Sequence, residues 1–455
     1  MTTLIAITGL GILCLIFEIF SLRKGIIPVT IIGLLATLAL TISEYGTEAS
    51  YYNNMIVVNN FSVTFSSLFI ILTTFIVAMS YNFYGNHATK ISDFIAIKLF
   101  ILSGAIAMIS FGNLAMYFLG LEILSIGLYI MCASERLSLR SNEAGMKYFL
   151  MGAFASGIIL FGICLVYGAM GTFDVAEIAS LSRSAELPAW FFIGVVLITI
   201  GMLFKIAAVP FHFWAPDVYE GAPALTTATM STLVKVVAMA TLFKILVVLN
   251  AEMSYAFQIV IVVLSIASMT VGNIMALRQN NVKRMLAFSG VSHAGFMLMT
   301  LLTLSTSAGT LLYYTSAYAL SGIAAFAVIL YVCRHNENED IVNFHGLGKT
   351  NPVLAAILTA ALLSMGGIPI FAGFFAKLFL FSDTIEAGYL FLVIIAVINS
   401  IISIGYYFKL IVAMYSKESN EERTGIPVLY YAVAVIAILT NIVIGLFPSL
   451  VLDLL

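Results

Sequence analysis

Residues 352–385 read PVLAAILTAALLSMGGIPIFAGFFAKLFLFSDTI, an apolar run carrying one cation, Lys377, and one acid, Asp383. As a single helix it would be about 50 Å long at 1.5 Å per residue, against a hydrocarbon core of about 30 Å. Gly366-Gly367-Ile368-Pro369 and then Gly373 interrupt it. Proline removes a backbone donor and glycine relaxes the chain, so the spacing predicts a broken membrane helix. Lys377 follows the break, on its outer side. A charge at that depth is costly in lipid, so it faces a polar interior and serves ion or proton movement, the other reading being solvation in a cavity.

The same pattern extends outward. Glu122, Lys147, Lys205, Lys235 and Lys244 also lie inside long apolar runs. Applying the criterion of about 20 apolar residues per crossing predicts spans at about 2–21, 26–43, 61–83, 92–111, 113–133, 143–169, 189–213, 222–249, 254–277, 285–304, 308–333, 352–385, 387–415 and 427–452. The predicted fold is all-α and polytopic, with about fourteen transmembrane helices in one domain over 1–455. Phe111-Gly112-Asn113 is read as a tight turn between the fourth and fifth. A second break is expected in the seventh span at Pro210. The two breaks are five spans apart, and an odd offset means opposite directions through the membrane. That is the pattern of inverted repeats with discontinuous helices. It divides the chain into spans 1–3 (about 2–83), repeat one (spans 4–8, about 92–249), repeat two (spans 9–13, about 254–415) and span 14 (about 427–452).

Composition agrees. The 455 residues are 62% hydrophobic and 9% charged, with mean hydropathy +1.10, whereas soluble domains carry about 25% charged residues. A net charge of −2 implies neither a nucleic-acid partner nor an acidic tail. Cys14, Cys132, Cys164 and Cys333 stand singly in apolar segments, without metal-ligand spacing, and read as packing residues. No haem, iron–sulfur, zinc or nucleotide site is expected, so redox chemistry must belong to partners. Arg23 and Lys24 follow the first apolar run, the reverse of a cleavable signal, so that run is expected to be a retained span.

Loop charges orient the chain. Alternate loops hold Arg23, Lys24, Lys90, Arg136, Arg140, Arg278, Lys283, Arg284, Arg334, Lys349, Lys417 and Arg423, and the other set holds Arg183. This asymmetry puts the first set in the cytoplasm and both termini on the outer, periplasmic side.

Glu122 is near the middle of span five. Alone it would protonate; a lysine on a neighbouring helix can keep it ionised, and Lys205 suits by depth. The alternative is a static ion pair that fixes helix packing. Burial disfavours a lysine's charged form and a nearby carboxylate favours it, so Lys205 and Lys235, inside spans seven and eight, have the balance a proton relay requires. Lys244, nearer a helix end, either functions or snorkels, whereas Lys98 and Lys409 are expected to snorkel. Lys147, four residues after Glu143, is a relay member or half of a surface pair. His293 either titrates near neutrality or hydrogen-bonds between helices. Asp217, in the proline-rich stretch 210–223, is expected to cap its turn.

Two motifs carry a resemblance. The first is Lys205, then Pro210-Phe211-His212, Trp214-Ala215-Pro216-Asp217 and Tyr219-Glu220-Gly221-Ala222-Pro223. The second is Lys283-Arg284-Met285-Leu286-Ala287-Phe288-Ser289 with Ser292-His293. Together they resemble the antiporter-like membrane subunits of respiratory complex I and the related Mrp cation/proton antiporters, over nearly the whole chain. The resemblance implies a proton-translocating subunit of NADH–quinone oxidoreductase in a bacterial inner membrane, with an Mrp-type Na⁺/H⁺ antiporter subunit as the alternative and a membrane scaffold as a third reading. Glu122, Lys205, Lys235 and Lys377 match the family's polar axis, and Lys147 matches a sixth-helix lysine often grouped with it. The M-type subunit has glutamate where this chain has Lys377, and the long lateral helix of the L type is not expected here. Implied partners are M- and L-type antiporter-like subunits, small K-, J- and A-type subunits, and lipid. FMN, iron–sulfur clusters, NADH and quinone are expected in other subunits and none in this one.

Overall fold

The computed structural model describes residues 1–84, 91–184, 187–249, 254–334, 336, 338–416 and 425–455. Lys90, Lys417, Arg423 and the side chain of Arg183 lie outside the described residues. The chain opens with α1 (Thr2–Ile19) and α2 (Ile26–Ser43), then a hairpin of β1 (Ala49–Tyr51) and β2 (Ile56–Val58), then α3 (Asn60–Tyr84). α4 (Ile91–Ile109), α5 (Leu114–Cys132), α6 (Leu139–Met170) and a short α7 (Val175–Ser184) follow. Next come α8 (Ala189–Lys205), α9 (Trp214–Gly221) and α10 (Ala224–Thr229), which passes through a π turn, Met230–Val234, into α11 (Lys235–Leu249). The rest comprises α12 (Tyr255–Leu277), α13 (Val282–Leu298), α14 (Ala308–Val332), α15 (Leu347–Thr350), α16 (Pro352–Gly366), α17 (Ala372–Glu386), α18 (Leu390–Ser416), α19 (Val428–Leu446) and α20 (Ser449–Leu452).

Among the described residues, twelve helices are long and apolar enough to cross a membrane, and α8 and α16 are shorter apolar helices. Those two are the first halves of the segments read as broken. α14 is buried along nearly its whole length, whereas α1 and α2 expose much apolar surface. With lipid as apolar as the side chains, close backbone approach must supply much of the helix association. A Cβ on Gly104 would lie 2.7 Å from the carbonyl of Gly120, joining α4 to α5. One on Gly162 would lie 2.7 Å from the carbonyl of Gly194, joining α6 to α8 in the same manner.

Both breaks begin with the same cap. After α8, the N–H of Ala208 donates to Leu203 O (2.9 Å) and that of Ala207 to Phe204 O (3.0 Å), with Ala207 left-handed at φ 59°. After α16, Ile368 donates to Leu363 O (3.0 Å) and Gly367 to Ser364 O (3.0 Å), with Gly367 at φ 85°. This is a Schellman end, which satisfies carbonyls that a severed helix would leave bare in the membrane. The first break starts at Lys205, a full turn before the expected Pro210, because the αL residue at 207 already stops the helix.

The expected turn at Phe111-Gly112-Asn113 is present, with Asn113 Oδ1 capping α5 through the N–H of Ala115 (2.8 Å). It is held on both sides: Gly112 N–H donates to Met55 O (3.1 Å), and Gly112 O accepts from Val175 N–H (3.0 Å). The hairpin that contributes Met55 has three-residue strands and was not expected.

Candidate functional site

The buried charges form a row across the interior. On α5, Glu122, Ser125 and Tyr129 recur at i, i+3 and i+7, one face of a helix. Lys205, the last residue of α8, donates through Nζ to Ser125 Oγ (2.7 Å) and Tyr129 OH (3.4 Å). The expected direct pair with Glu122 is therefore open. Glu122 is half-buried, lies within electrostatic reach of Lys205, and its Oε1 has no hydrogen-bond partner among the described residues. The reason is local: Ser125 presents a neutral oxygen one turn along the same face.

Lys235 begins α11 directly after the π turn, an irregularity that often marks functional positions. Its ammonium packs over Gly290 of α13, where a Cβ would lie 2.6 Å from Nζ and 3.2 Å from Tyr318 OH. The ring of Tyr318 of α14 lies 4.7 Å (centroids) from that of His293, tilted at 44°, one turn beyond Gly290. His293 Nδ1 bonds with Tyr314 OH (2.8 Å), and Nε2 with Tyr407 OH (3.3 Å), which also bonds with Ser289 Oγ (2.5 Å). The ring lies within electrostatic reach of both Lys235 and Lys377. A cavity of about 10 Å³, the size of one water, lies between His293, Tyr314, Tyr318, Ser364 and Lys377.

Lys377, in the second turn of α17, reaches back across the break. Its Nζ donates to Met365 O (3.2 Å), Gly366 O (2.9 Å) and Ser400 Oγ (2.8 Å) and lies 5.0 Å from the centre of the Phe296 ring. The C-terminal carbonyls of α16, the negative end of a helix dipole, thus hold the cation. At the first break the comparable contact comes from Trp214, whose Nε1 donates to Phe204 O (3.0 Å).

The other charged candidates lie elsewhere. Lys147 pairs with Glu143 (2.6 Å) and Asp217 (3.2 Å) near the surface, and Arg284 pairs with Asp217 (2.7 Å) and Glu220 (2.9 Å). The structure brings Lys147 into this network and not into the buried row. Asp217, expected to cap its turn, instead ties α6 to α13. Burial alone would push its carboxyl upward, but hydrogen bonds from Arg284 and Lys147 hold it below its ordinary value. Lys244 caps α4, donating to Ile109 O (2.6 Å) and Phe111 O (2.8 Å). Lys98 does not snorkel as expected: it is buried, with Nζ on Ser80 Oγ (2.7 Å) and over the Tyr84 ring, because α3 offers an internal acceptor. Lys409 reaches Gln279 O (2.8 Å) and Asn280 Oδ1 (2.9 Å) at an exposed helix end. A wide cleft of about 830 Å³ is lined by Arg23, Arg140, Lys283, Arg334 and Glu339 and touches none of the row residues. No group of three His, Cys, Asp or Glu able to hold a metal occurs among the described residues.

Sequence reasoning singled out none of the hydroxyl residues that Lys205, His293 and Lys377 touch. A signal was present for some: Tyr314, Tyr318 and Ser321 recur at i, i+4 and i+7 in an apolar span. The equivalent one-face spacing of i, i+3 and i+7 relates Ser125 and Tyr129 to Glu122, and Ser400, Ser403 and Tyr407 to one another.

A family model described as NADH:quinone oxidoreductase/Mrp antiporter, transmembrane, matches residues 112–403. NADH-quinone oxidoreductase subunit N of Flavobacterium johnsoniae is 74% identical, with all of both chains covered. The protein of the same name from Cytophaga hutchinsonii is 42% identical over 100% of this chain and 99% of its own. A chain of respiratory complex I from Thermus thermophilus with bound aureothin superposes with TM-score 0.85 at 29% identity, covering 99% of this chain and 98% of that one. A chain of the Mrp complex from Dietzia sp. superposes with TM-score 0.87 at 22% identity, over 100% and 96% of the two chains, which is a likeness of fold.

Proposed function

The chain belongs to the NADH:quinone oxidoreductase/Mrp antiporter family of transmembrane subunits, and from that premise we propose that its buried row is the proton path of a respiratory enzyme. It is a proton-translocating membrane subunit of NADH–quinone oxidoreductase, in a bacterial membrane, assembled with other membrane subunits of that complex. Its own part is non-redox: NADH, FMN, iron–sulfur clusters and quinone belong to its partners, and this chain couples their free energy to proton movement. The observation that carries this reading is the buried set itself: Lys205 on Ser125 and Tyr129 at the end of one severed helix, Lys235 against Gly290, His293 held by Tyr314 and Tyr407, and Lys377 held across the other break.

In this reading Lys205 has two positions. Paired with Glu122 its ammonium is held by a carboxylate; on Ser125 and Tyr129 it is held by neutral oxygens alone. Movement between them changes the proton affinity of Lys205, so that a proton passes to the neutral amine of Lys235 and on past His293 to Lys377. Lys377 discharges toward the outer side, on the orientation that the loop cations support, with both termini periplasmic. Fourteen crossings and two inverted repeats, spans 4–8 and 9–13, are part of the same proposal, supported by the shared cap at the two breaks. Lys147 stands outside this path.

The native assembly, extracted in mild detergent, is expected to contain flavin and iron, to reduce quinone with NADH, and to pump protons in vesicles. A cofactor-free assembly that exchanges Na⁺ for H⁺ would replace this reading with the Mrp-type one.

Gly290→Ala tests the path while every titratable group is kept. The new methyl meets the tip of a flexible lysine rather than backbone, so the fold accommodates it and Lys235 gives way. Assembly is expected to be normal and pumping to fall by up to about a hundredfold, the loss that a misplacement of about 1 Å can bring. Unaltered pumping in the assembled Gly290→Ala complex would remove Lys235 from the path.

A further inference from the structure

α19 lies outside both proposed repeats, yet one of its side chains holds the second break together. Asn441 is fully buried and its amide is fully used. Its Oδ1 accepts from Ser364 Oγ (3.0 Å) and from the N–H of Ala372 (3.3 Å). Its Nδ2 donates to Ala317 O (3.1 Å) and Ser321 Oγ (3.1 Å). Ser321 Oγ in turn donates to Ser364 Oγ (2.9 Å), which also accepts from Gly373 N–H (3.3 Å). Ser364 is in the last turn of α16, and Ala372 and Gly373 open α17. One side chain therefore ties the end of the first half-helix to the start of the second.

Gly445, four residues on and so on the same face of α19, supports this assignment independently. A Cβ there would lie 2.6 Å from Ile370 O and 2.7 Å from Ala372 N. α19 thus presses its backbone against the break at the turn next to Asn441. The two carbonyls that follow Ser364, those of Met365 and Gly366, are the ones that hold Lys377.

We propose that Asn441 is a positioning residue for proton translocation: by joining Ser364 to Ala372 it sets the span of the break across which Lys377 is held. This rests on the reading of Lys377 as a relay group. Removing this amide takes away the acceptor that Ser364 Oγ and the N–H of Ala372 share, and a buried donor left without an acceptor is costly, so the two severed ends would shift.

The test uses the whole complex in membrane vesicles, reading proton pumping per NADH oxidised, with native electrophoresis as the control for assembly and NADH oxidation by a water-soluble acceptor normalising electron entry. Asn441→Leu is expected to leave the control unchanged and lower pumping roughly two- to thirty-fold, the range for coupling residues remote from a ligand. Asn441→Asp keeps the shape. Its protonated carboxyl still accepts and keeps one of the amide's two donations, while the carboxylate donates none. Relative to the unsubstituted complex at the same pH, it should pump well at about pH 6 and poorly at about pH 9, the interval in which buried carboxyls ionise. Unchanged pumping in an assembled Asn441→Leu complex overturns the proposal. If that variant does not assemble, pumping by Asn441→Asp that matches the unsubstituted complex at both pH values overturns it. Lys377→Ala separates the two ideas: full pumping there removes the relay reading itself, whereas a loss there beside an inert Asn441 removes the positioning role alone.

Discussion

Lys205→Ala leaves the complex assembled and electron entry from NADH intact, while proton pumping and the coupled reduction of quinone fall at least about tenfold: this is the expected result for a relay. The structure indicates why assembly survives. Ser125 Oγ, the nearest partner of the lysine, also donates to Leu121 O (2.6 Å), so truncation leaves it satisfied. Glu122 loses the attraction of the lysine but no hydrogen bond to it, because Lys205 donates to Ser125 and Tyr129 instead. What remains is a cavity, at a cost of about 2–3 kcal/mol. Glu122→Ala should behave alike. Lys205→Arg sharpens the experiment, since guanidinium keeps the charge but does not release a proton in proteins. A static ion pair would tolerate arginine, whereas a relay stops. Pumping by inverted vesicles, normalised to NADH oxidation by a soluble acceptor, reads all three. Full pumping in both alanine variants sinks the relay, and loss of assembly without a specific pumping defect would favour a scaffold.

Gly373→Ala is expected to be the most damaging small substitution in the membrane interior. Its Cβ would lie 1.8 Å from the carbonyl oxygen of Ser364, which is backbone and cannot step aside. α16 and α17 would have to separate by more than an ångström, pulling Lys377 from Met365 O and Gly366 O and breaking the bond from Gly373 N–H to Ser364 Oγ. Overpacking of this kind costs about 1–3 kcal/mol or more. Less assembled complex should therefore be recovered, and what assembles should not pump. Gly366→Ala is the matched control. The nearest atom to its Cβ is on the Tyr407 ring at 3.7 Å, an ordinary contact, so normal assembly and pumping are expected. Native electrophoresis with vesicle pumping compares the two, and equal behaviour would show that the break has no fixed width.

Some of this was readable in the chain because it depends on local free energies. An apolar run of about 20 residues crosses a bilayer whatever its neighbours are, and Gly366-Gly367-Ile368-Pro369 ends a helix wherever it lies. The apolar segments, both interruptions and the place of Glu122, Lys205, Lys235 and Lys377 along those segments follow from that. The three-residue strands beside Gly112 escaped notice, since so short a segment has no period to read.

Sequence alone thus determined that this is a helical membrane protein with breaks in two segments and cations inside its apolar runs. Only the tertiary structure decided what each cation touches. Depth is set by position along one helix, but contact depends on the rotation of that helix about its axis, which packing against other helices sets. For that reason Lys98 turned inward to Ser80, Lys147 turned outward to Glu143 and Asp217, Lys205 bonded Ser125 in place of Glu122, and a lone Asn441 in the last long helix came to bridge Ser364 and Ala372.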